Sequence, residues 1–431
     1  MAKVAIKSEK ITPFGGIFWS TDISRRIGLL ELIDRKLGLR SRLIGYQYSE
    51  IIQSTFNTFL CGGDHLEDIT YLGDHLRMEP GMRVPSSDTI ARGMKELASE
   101  GTMYTSESGA TYLHDYNGKL NSLLVDMVCL MGLIEARSDI DVDFDNEFIP
   151  TEKKDALYSY KKERGYFPGV MTSGPLILGI ENRQGNSNVK FHQVDAIKKM
   201  VENLLAHGIG IRMFRADCGS FIKELVELLW LHSEVFYLRA SSCQSRLTMY
   251  ADCDSWRKTE VNGVEMEVAS FEFTEFMADY HMRLVVQRTE KKDDSGQAWL
   301  PEMGYVYRAI LTNDHDNSEE EVIGTYNKRG GSERNFDQQN NDFGWAHLPF
   351  SKLQQNTVFL LITAMLKNFF VFLLKTLSRI FPGIDETCRL KRFIFNFISV
   401  PAKWVKTGRE WILNLYTQKR WLHYWSLFNY K

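Results

Sequence analysis

The sequence contains no pair of closely spaced cysteines. Its six cysteines are scattered between Cys61 and Cys388 without a CxxC motif, which argues against a structural zinc site and against a disulfide-stapled secreted fold. The first residues, MAKVAIKSEKITPF, have no apolar stretch of signal-peptide length. We therefore expect a reduced, cytoplasmic protein.

A strong net charge and a long unbroken apolar run are also missing. The net charge is -3, and hydrophobic residues make up 44% of the 431 residues, so a disordered class is excluded and two or three domains are expected. The run VFLLITAMLKNFFVFLLK is interrupted by Lys367 and Asn368. It therefore predicts a buried core helix and no membrane partner.

Basic and aromatic residues are concentrated near the end of the sequence. Residues 361–431 contain twelve Lys or Arg and three acidic residues. Such a segment suits a nucleic-acid backbone, and it is equally typical of a solvated helix surface.

The first 135 residues have apolar side chains at helical spacing. One segment, SSDTIARGMKELAS, begins with a good N-cap at Ser86 or Ser87. We predict an all-helical DNA-binding domain over 1–135, although any small helical bundle would give the same pattern.

From about residue 138 strands and helices alternate. Three predicted strands are followed by a helix, a strand, a helix and a strand, which is the order of a ribonuclease H-like α/β domain. We predict this catalytic domain over 136–380, interrupted by a β-rich insertion at about 241–322. A basic, aromatic helical region is predicted over 381–431.

The strand DIDVDFD places four carboxylates on one face. Those of Asp139, Asp141, Asp143 and Asp145 would repel one another unless cations met them. A solvent-washed edge strand is the alternative to a metal-binding face. Ligands of this type select Mg²⁺ or Mn²⁺ over zinc.

A further carboxylate, Asp217, follows the predicted strand IRMFRAD. In open α/β sheets the ligand crevice lies beyond the carboxyl ends of the strands, where Asp217 should project. The alternative is that Asp217 caps the next helix.

The polar run TYNKRGGSERNFDQQNND lies just before the apolar run. On a helix, Tyr326, Arg329, Glu333 and Asn340 would fall within about 60° of one face.

Together these motifs resemble the DDE transposases of bacterial insertion sequences. Cut-and-paste members of the IS-four superfamily carry Tyr, two residues, Arg, three residues, Glu, six residues and Lys on one helix. Tyr326, Arg329 and Glu333 match this spacing, while Asn340 replaces the lysine. DFDNEFIPTEKKDALYSYKKERGYFPG, FRADCGSF and YNKRGGSERNFDQQNNDFGWAHLPF are most similar to the family numbered thirteen-eighty, found in Bacteroides-type bacteria.

The resemblance implies a site and its partners. Asp145, with Asp143 as the alternative, Asp217 and Glu333 would hold two Mg²⁺ ions, for which Mn²⁺ could substitute. The partners would be the terminal inverted repeats and target DNA, bound by a homodimer. The expected DNA contacts are Tyr326, Lys328, Arg329, Arg334, Asn340, Lys161, Lys162 and Arg164, the last three in a basic strip that an exposed hairpin would also explain.

Two alternatives stay open. One is a ribonuclease H-like nuclease without strand transfer, and the other is a DNA-binding relative whose catalytic site has decayed. A purified protein that cuts the ends of its own element in Mg²⁺ would exclude the second.

Overall fold

A computed structural model of the chain describes residues 3–40, 45–291 and 304–417. They form a mixed α/β fold, as predicted. The α-helices of the described residues are α1 (Gly15–Arg26), α2 (Leu29–Leu37), α3 (Tyr48–Leu60), α4 (Ile69–Leu76), α5 (Ser87–Glu96), α6 (Gly118–Leu130), α7 (Gln193–Ala206), α8 (Lys223–His232), α9 (Gln244–Ala251), α10 (Glu319–Asn327), α11 (Gly331–Asp342), α12 (Leu353–Leu377) and α13 (Leu390–Phe393).

The strands of the same residues are β1 (Thr102–Thr105), β2 (Thr111–Asp115), β3 (Asp139–Asn146), β4 (Ile149–Pro150), β5 (Leu157–Tyr158), β6 (Arg164–Tyr166), β7 (Gly169–Ser173), β8 (Leu176–Arg183), β9 (Gly210–Ala216), β10 (Ser233–Arg239), β11 (Arg257–Val261), β12 (Val264–Glu272), β13 (Arg283–Glu290), β14 (Tyr305–Thr312), β15 (Ala402–Thr407) and β16 (Glu410–Leu415).

Five adjacent strands form the middle of a large sheet, in the order β8-β7-β3-β9-β10. Strand β7 is antiparallel to both β3 and β8, whereas β9 runs parallel to β3 and to β10. Helix α7 connects β8 to β9, and α8 connects β9 to β10. This is the predicted order of elements. It brings the carboxyl ends of β3, β9 and β10 to one edge of the sheet.

Four strands lie in the range predicted for the β-rich insertion, and they extend the central sheet instead of forming a separate one. Strands β14, β13, β12 and β11 follow β10 in the sheet order. Helix α10 packs on this extension, where Val322, Ile323 and Tyr326 share a small core with Val268 and Val285. The insertion therefore supports the helix that carries Tyr326.

Residues 1–135 are not all helical, contrary to the prediction. Strands β1 and β2 form a hairpin, and β2 pairs with the sheet edge at β8 through His114↔Arg183 and Asp115↔Asn182. Strand β1 is short and largely exposed, and β2 is buried only at His114 and Asp115, the residues that pair with β8. Their pairing depends on β8, so the local pattern does not identify them.

The region after residue 380 is not mainly helical either, within the residues that the structure describes. After α13 and a π-helical turn (Ile394–Ile398), β15 and β16 form a hairpin. Thr12 bridges to Ala402 of β15, so the strand forms against a distant part of the chain. The rest of the predicted basic region, residues 418–431, lies outside the described residues.

Helix α12 lies in the core, as its interrupted apolar pattern predicts. It is long and apolar enough to cross a membrane, but 89% of its most apolar window is buried inside the fold. Lys367 and Asn368 are fully buried. The Lys367 amine donates to Asn335 Oδ1 at 2.9 Å, and Asn368 exchanges hydrogen bonds of 3.0 and 2.7 Å with the backbone of Ile177.

The N-terminal helices, α12 and the C-terminal segment share one hydrophobic core. Phe56 of α3 stacks on Phe369 of α12 with ring centroids 5.7 Å apart. Trp19 of α1 meets Phe397 edge-on at 5.3 Å. The apolar faces of residues 1–135 are therefore completed by residues more than two hundred positions away.

Candidate active site

Asp145 and Asp217 lie side by side at the carboxyl ends of two parallel strands. The register pairs Phe144 with Ala216, so the two aspartates occupy the next step on strands about 4.8 Å apart. Burial, and then the charge of Asp145, raise the pKa of Asp217. The site thus holds two neighbouring carboxylates whose negative charges repel each other.

Asp217 also caps the turn that follows it, as the alternative interpretation predicts. Its carboxylate accepts a hydrogen bond from the Gly219 amide at 2.9 Å, at the start of the 3₁₀ turn Cys218–Ser220. A capping contact and a ligand role are compatible, because a carboxylate has more than one free lone pair.

Arginine side chains form ion pairs with the acidic face of β3. Three of the four aspartates pair with an arginine, namely Asp141 with Arg212 (2.7 Å), Asp143 with Arg215 (2.6 and 2.9 Å) and Asp145 with Arg329 (2.6 Å). Asp139 is exposed. The cations that this strand requires are thus largely guanidinium groups of the chain itself.

The Asp143–Arg215 pair is a buried clamp. Both Asp143 oxygens accept from Arg215, and Arg215 also donates to the Thr325 carbonyl at 2.8 Å. The clamp therefore ties β3 and β9 to α10. Because both of its oxygens are engaged there, Asp143 is a weaker candidate for a metal ligand than Asp145.

The polar run does not form one continuous α-helix. A 3₁₀ turn, Lys328–Gly330, separates α10 from α11. A Cβ at Gly330 or Gly331 would meet no atom within 4 Å, so packing within the described residues does not require glycine there. The turn matches the helix break that the glycine pair allows.

Tyr326 and Arg329 point inward to the carboxylates. Tyr326 is only 9% exposed, and its ring lies 5.8 Å from the guanidinium carbon of Arg329 and 5.8 Å from that of Arg239. Burial would lower the pKa of Arg329, but the charge of Asp145 raises it. The sequence analysis missed Arg239, which is the last residue of β10 and lies next to the β9 strand that leads to Asp217. Its position at the end of that strand was the sequence signal that could have identified it.

Asn340, the position of the family lysine, also faces the β3 end. Its side-chain amide donates to Glu147 Oε1 at 3.0 Å. Burial raises the pKa of Glu147, Asn340 opposes the rise, and the charge of Asp145 adds to it. Glu147, two residues beyond Asp145, is a second residue that the sequence analysis missed.

Glu333 lies apart from the two aspartates. It is exposed and lines a cleft with Arg334, Asp337, Gln338, Thr387 and Arg389. In the described part of the chain, no group of three or more His, Cys, Asp or Glu side chains is arranged to hold a metal ion. The structure thus brings Asp145 and Asp217 together with Arg329, and leaves Glu333 outside.

The other residues predicted to contact DNA differ in the solvent exposure of their side chains. Four of them are exposed side chains, namely Lys161, Lys162, Lys328 and Arg334. Arg164 instead donates to the Ala156 carbonyl at 3.1 and 2.9 Å, so it holds the loop between β4 and β5.

Comparisons with known proteins agree with the sequence motifs. The family model described as "Transposase DDE domain group 1" matches residues 2–425. A search of curated proteins finds no match. Among solved structures, the chain is similar to that titled "Cryo-EM structure of piggyBac transposase synaptic complex with hairpin DNA", with a TM-score of 0.42 and 11% identity over 89% of this chain and 78% of that one. A TM-score this low does not establish a shared fold.

Proposed function

Because the chain belongs to the family described as Transposase DDE domain group 1 and is therefore a DNA transposase, we propose that Asp145, Asp217 and Glu333 are its catalytic carboxylates. The observation that carries the proposal is the placement of Asp145 and Asp217 one register step past Phe144↔Ala216. DDE transposases are metal-dependent enzymes that hydrolyse and transfer phosphodiesters.

The fold of the catalytic part is proposed to be ribonuclease H-like. The order β8-β7-β3-β9-β10, three antiparallel strands followed by two parallel ones, supports it. The spacing of Tyr326, Arg329 and Glu333 supports the IS-four superfamily and its family numbered thirteen-eighty. A bacterial, cytoplasmic site of action goes with this assignment.

The proposed cofactors are two Mg²⁺ ions, for which Mn²⁺ can substitute. The donor set fits, because Asp145 and Asp217 offer adjacent hard oxygens, and because burial and then the charge of Asp145 raise the pKa of Asp217, an effect that a bound cation would offset. When bound, such ions activate the attacking oxygen and stabilise the leaving one.

Two rearrangements are proposed to complete the site. Arg329 would exchange the Asp145 carboxylate for a phosphate of the bound strand, which its planar guanidinium can hold bidentately. The first turn of α11 would move toward β3 so that Glu333 joins the aspartates. The glycine pair Gly330–Gly331, whose Cβ positions are open, is where the backbone has room to adjust.

The proposed DNA partners are the terminal inverted repeats and the target. The exposed side chains of Lys161, Lys162, Lys328 and Arg334 suit phosphate contacts, and residues 1–135 are proposed to take part in recognising the element end. A homodimer is proposed for the active complex, because transposition joins two ends.

The test is cleavage of DNA that carries the ends of the element. We expect the purified protein with Mg²⁺ to cut at the element end and to join that end to a target plasmid, and Asp145→Asn, Asp217→Asn and Glu333→Gln each to abolish both steps. Cutting without joining would favour a nuclease.

Metal binding gives a second measurement. In titrations with Mn²⁺ followed by electron paramagnetic resonance, Asp145→Asn and Asp217→Asn should weaken binding, whereas Glu152→Gln, an exposed carboxylate of the β4–β5 loop, should not. Equal Mn²⁺ binding by all three variants would remove the two aspartates from the metal site.

A further inference from the structure

A groove lies beside helix α11 and includes Glu333 in its lining. One wall is α11 itself, and the other is the segment Thr387–Phe395, which we call the basic wall. Thr387 and Arg389 line both the cleft of Glu333 and the adjoining cavity of the basic wall. The two cavities therefore share part of their lining, and we call them together the groove.

Arg389 fixes the basic wall to α11. Its Nε donates to Asp342 at 2.8 Å, and its Nη1 pairs with Asp337. At the start of the wall, the amide and hydroxyl of Thr387 donate to Asp385 at 2.9 and 2.6 Å. Arg389 thus holds the two walls together, and Asp337, Asp342 and Asp385 each have a hydrogen-bond partner.

The groove carries exposed cations as well as exposed acids, and two of the acids, Asp337 and Asp385, already have partners. Arg334 on one wall and Lys391 and Arg392 on the other are exposed within the described residues. Phe395 projects next to them with 78% of its surface exposed. Exposed cations beside an exposed aromatic ring are what a nucleic-acid strand requires, since its phosphates pair with the cations and its bases stack on the ring.

We propose that this groove binds the sugar–phosphate backbone of the DNA strand that leads to or away from the cleavage site, with Lys391 and Arg392 contacting phosphates and Phe395 contacting an unpaired base. The inference deepens the proposed function, because it rests on Glu333 belonging to the active site. Phosphate contacts and stacking on an aromatic ring carry no base identity, so the binding is expected to be independent of sequence.

The test compares DNA affinity over a salt series. Probes are a fluorescein-labelled duplex with the element end and a random duplex of equal length. For Lys391→Gln/Arg392→Gln we expect the log–log salt slope to fall by about 1.5 units, with equal weakening on both probes. The control, Lys198→Gln/Lys223→Gln, removes two exposed lysines of α7 and α8 that pair within their own helices, and it should change the slope by much less.

A probe with a single-stranded overhang examines Phe395. Phe395→Ala should weaken binding of the overhang by about tenfold and leave the blunt duplex unchanged. Thermal unfolding of each variant checks folding, and unchanged midpoints are expected because the three side chains are exposed.

Salt slopes that change equally in the groove variant and the control would overturn the proposal, as would a groove variant with unchanged affinity. The result of the salt series can be distinguished from the result of the cleavage test of the proposed function. If Glu333→Gln retained full cleavage, Glu333 would leave the active site even where the salt slope showed that Lys391 and Arg392 contact DNA.

Discussion

Arg329 Nη1 donates to Asp145 Oδ2 at 2.6 Å, and each side chain of the pair is 18% exposed. The contact joins the 3₁₀ turn between α10 and α11 to strand β3, across 184 residues of sequence. It also means that a carboxylate proposed to bind a metal already has an internal cation beside it. If Asp145 binds the metal, we expect Arg329 to compete with it for the carboxylate until DNA offers the arginine a phosphate.

Removing the guanidinium should separate metal affinity from activity. We expect Arg329→Met to bind Mn²⁺ about tenfold more tightly without DNA, because a nearby positive charge is lost. The same variant should lose cleavage, and Arg329→Lys should not restore it, since an ammonium lacks the planar fork. Calorimetric titration with Mn²⁺ measures the first effect. Lys328→Met is the matched control, and weaker Mn²⁺ binding by Arg329→Met would contradict the competition.

Stability should distinguish Asp143 from Asp145. Asp143→Asn disturbs a buried bidentate pair, so we expect it to cost about 3–5 kcal/mol in the free energy of unfolding. Asp145→Asn should cost about 1 kcal/mol or less, because Arg329 is partly solvated, while it abolishes cleavage. Urea denaturation of both variants measures the difference. The assignment would be reversed by a stable, inactive Asp143→Asn and a destabilised, active Asp145→Asn.

The lysine that the family pattern expects at residue 340 would meet Glu147. We therefore expect Asn340→Lys alone to leave the salt slope of DNA binding nearly unchanged, because the new charge pairs with the carboxylate. Adding Glu147→Gln should release that charge and steepen the slope by about one unit. Both slopes are measured on duplex DNA with the element end, and Glu147→Gln alone is the control. A full unit of change in the single variant would show that residue 340 faces DNA directly.

The buried Lys367 predicts a pH dependence of stability. Burial lowers its pKa from 10.5 to about 7, so between these values the unfolded chain holds a proton that the folded chain has released. Stability should therefore rise with pH from about 7 to 10.5, by on the order of 3 kcal/mol. Lys367→Met should lack this rise, whereas Lys375→Met, a less buried lysine of the same helix, should keep it. Urea denaturation at pH 7 and pH 10 measures the free energy of unfolding of each variant. Equal rises in both variants would refute the assignment of this pH dependence to Lys367.

The elements around the site were predictable from sequence because their signals are local. The alternation of DIDVDFD identified β3, and the apolar run ending at Asp217 identified β9. The interruption by Lys367 and Asn368 identified α12 as a core helix. The hairpin β1–β2 was missed, because its strands are short and are buried only where β2 pairs with β8, a neighbour that sequence does not reveal.

The contacts inside the site were the less predictable part. An acidic face implies cations, but the sequence does not say whether they are metal ions or arginines. Arg212 and Arg215 lie on the neighbouring strand, and their match with Asp141 and Asp143 depends on strand register. A 3₁₀ turn at Lys328–Gly330 interrupts the helix that the sequence predicts. Tyr326, Arg329 and Asn340 still face the β3 end, whereas Glu333 is exposed.

The shared core limits what a truncated product of this gene could do. A fragment ending near residue 135 would lack α12, and Phe56 would lose the Phe369 ring that stacks on it. Such a fragment would expose a large apolar face and could not persist as a folded competitor for the element ends. We therefore expect premature termination near residue 135 to yield a product that does not fold stably.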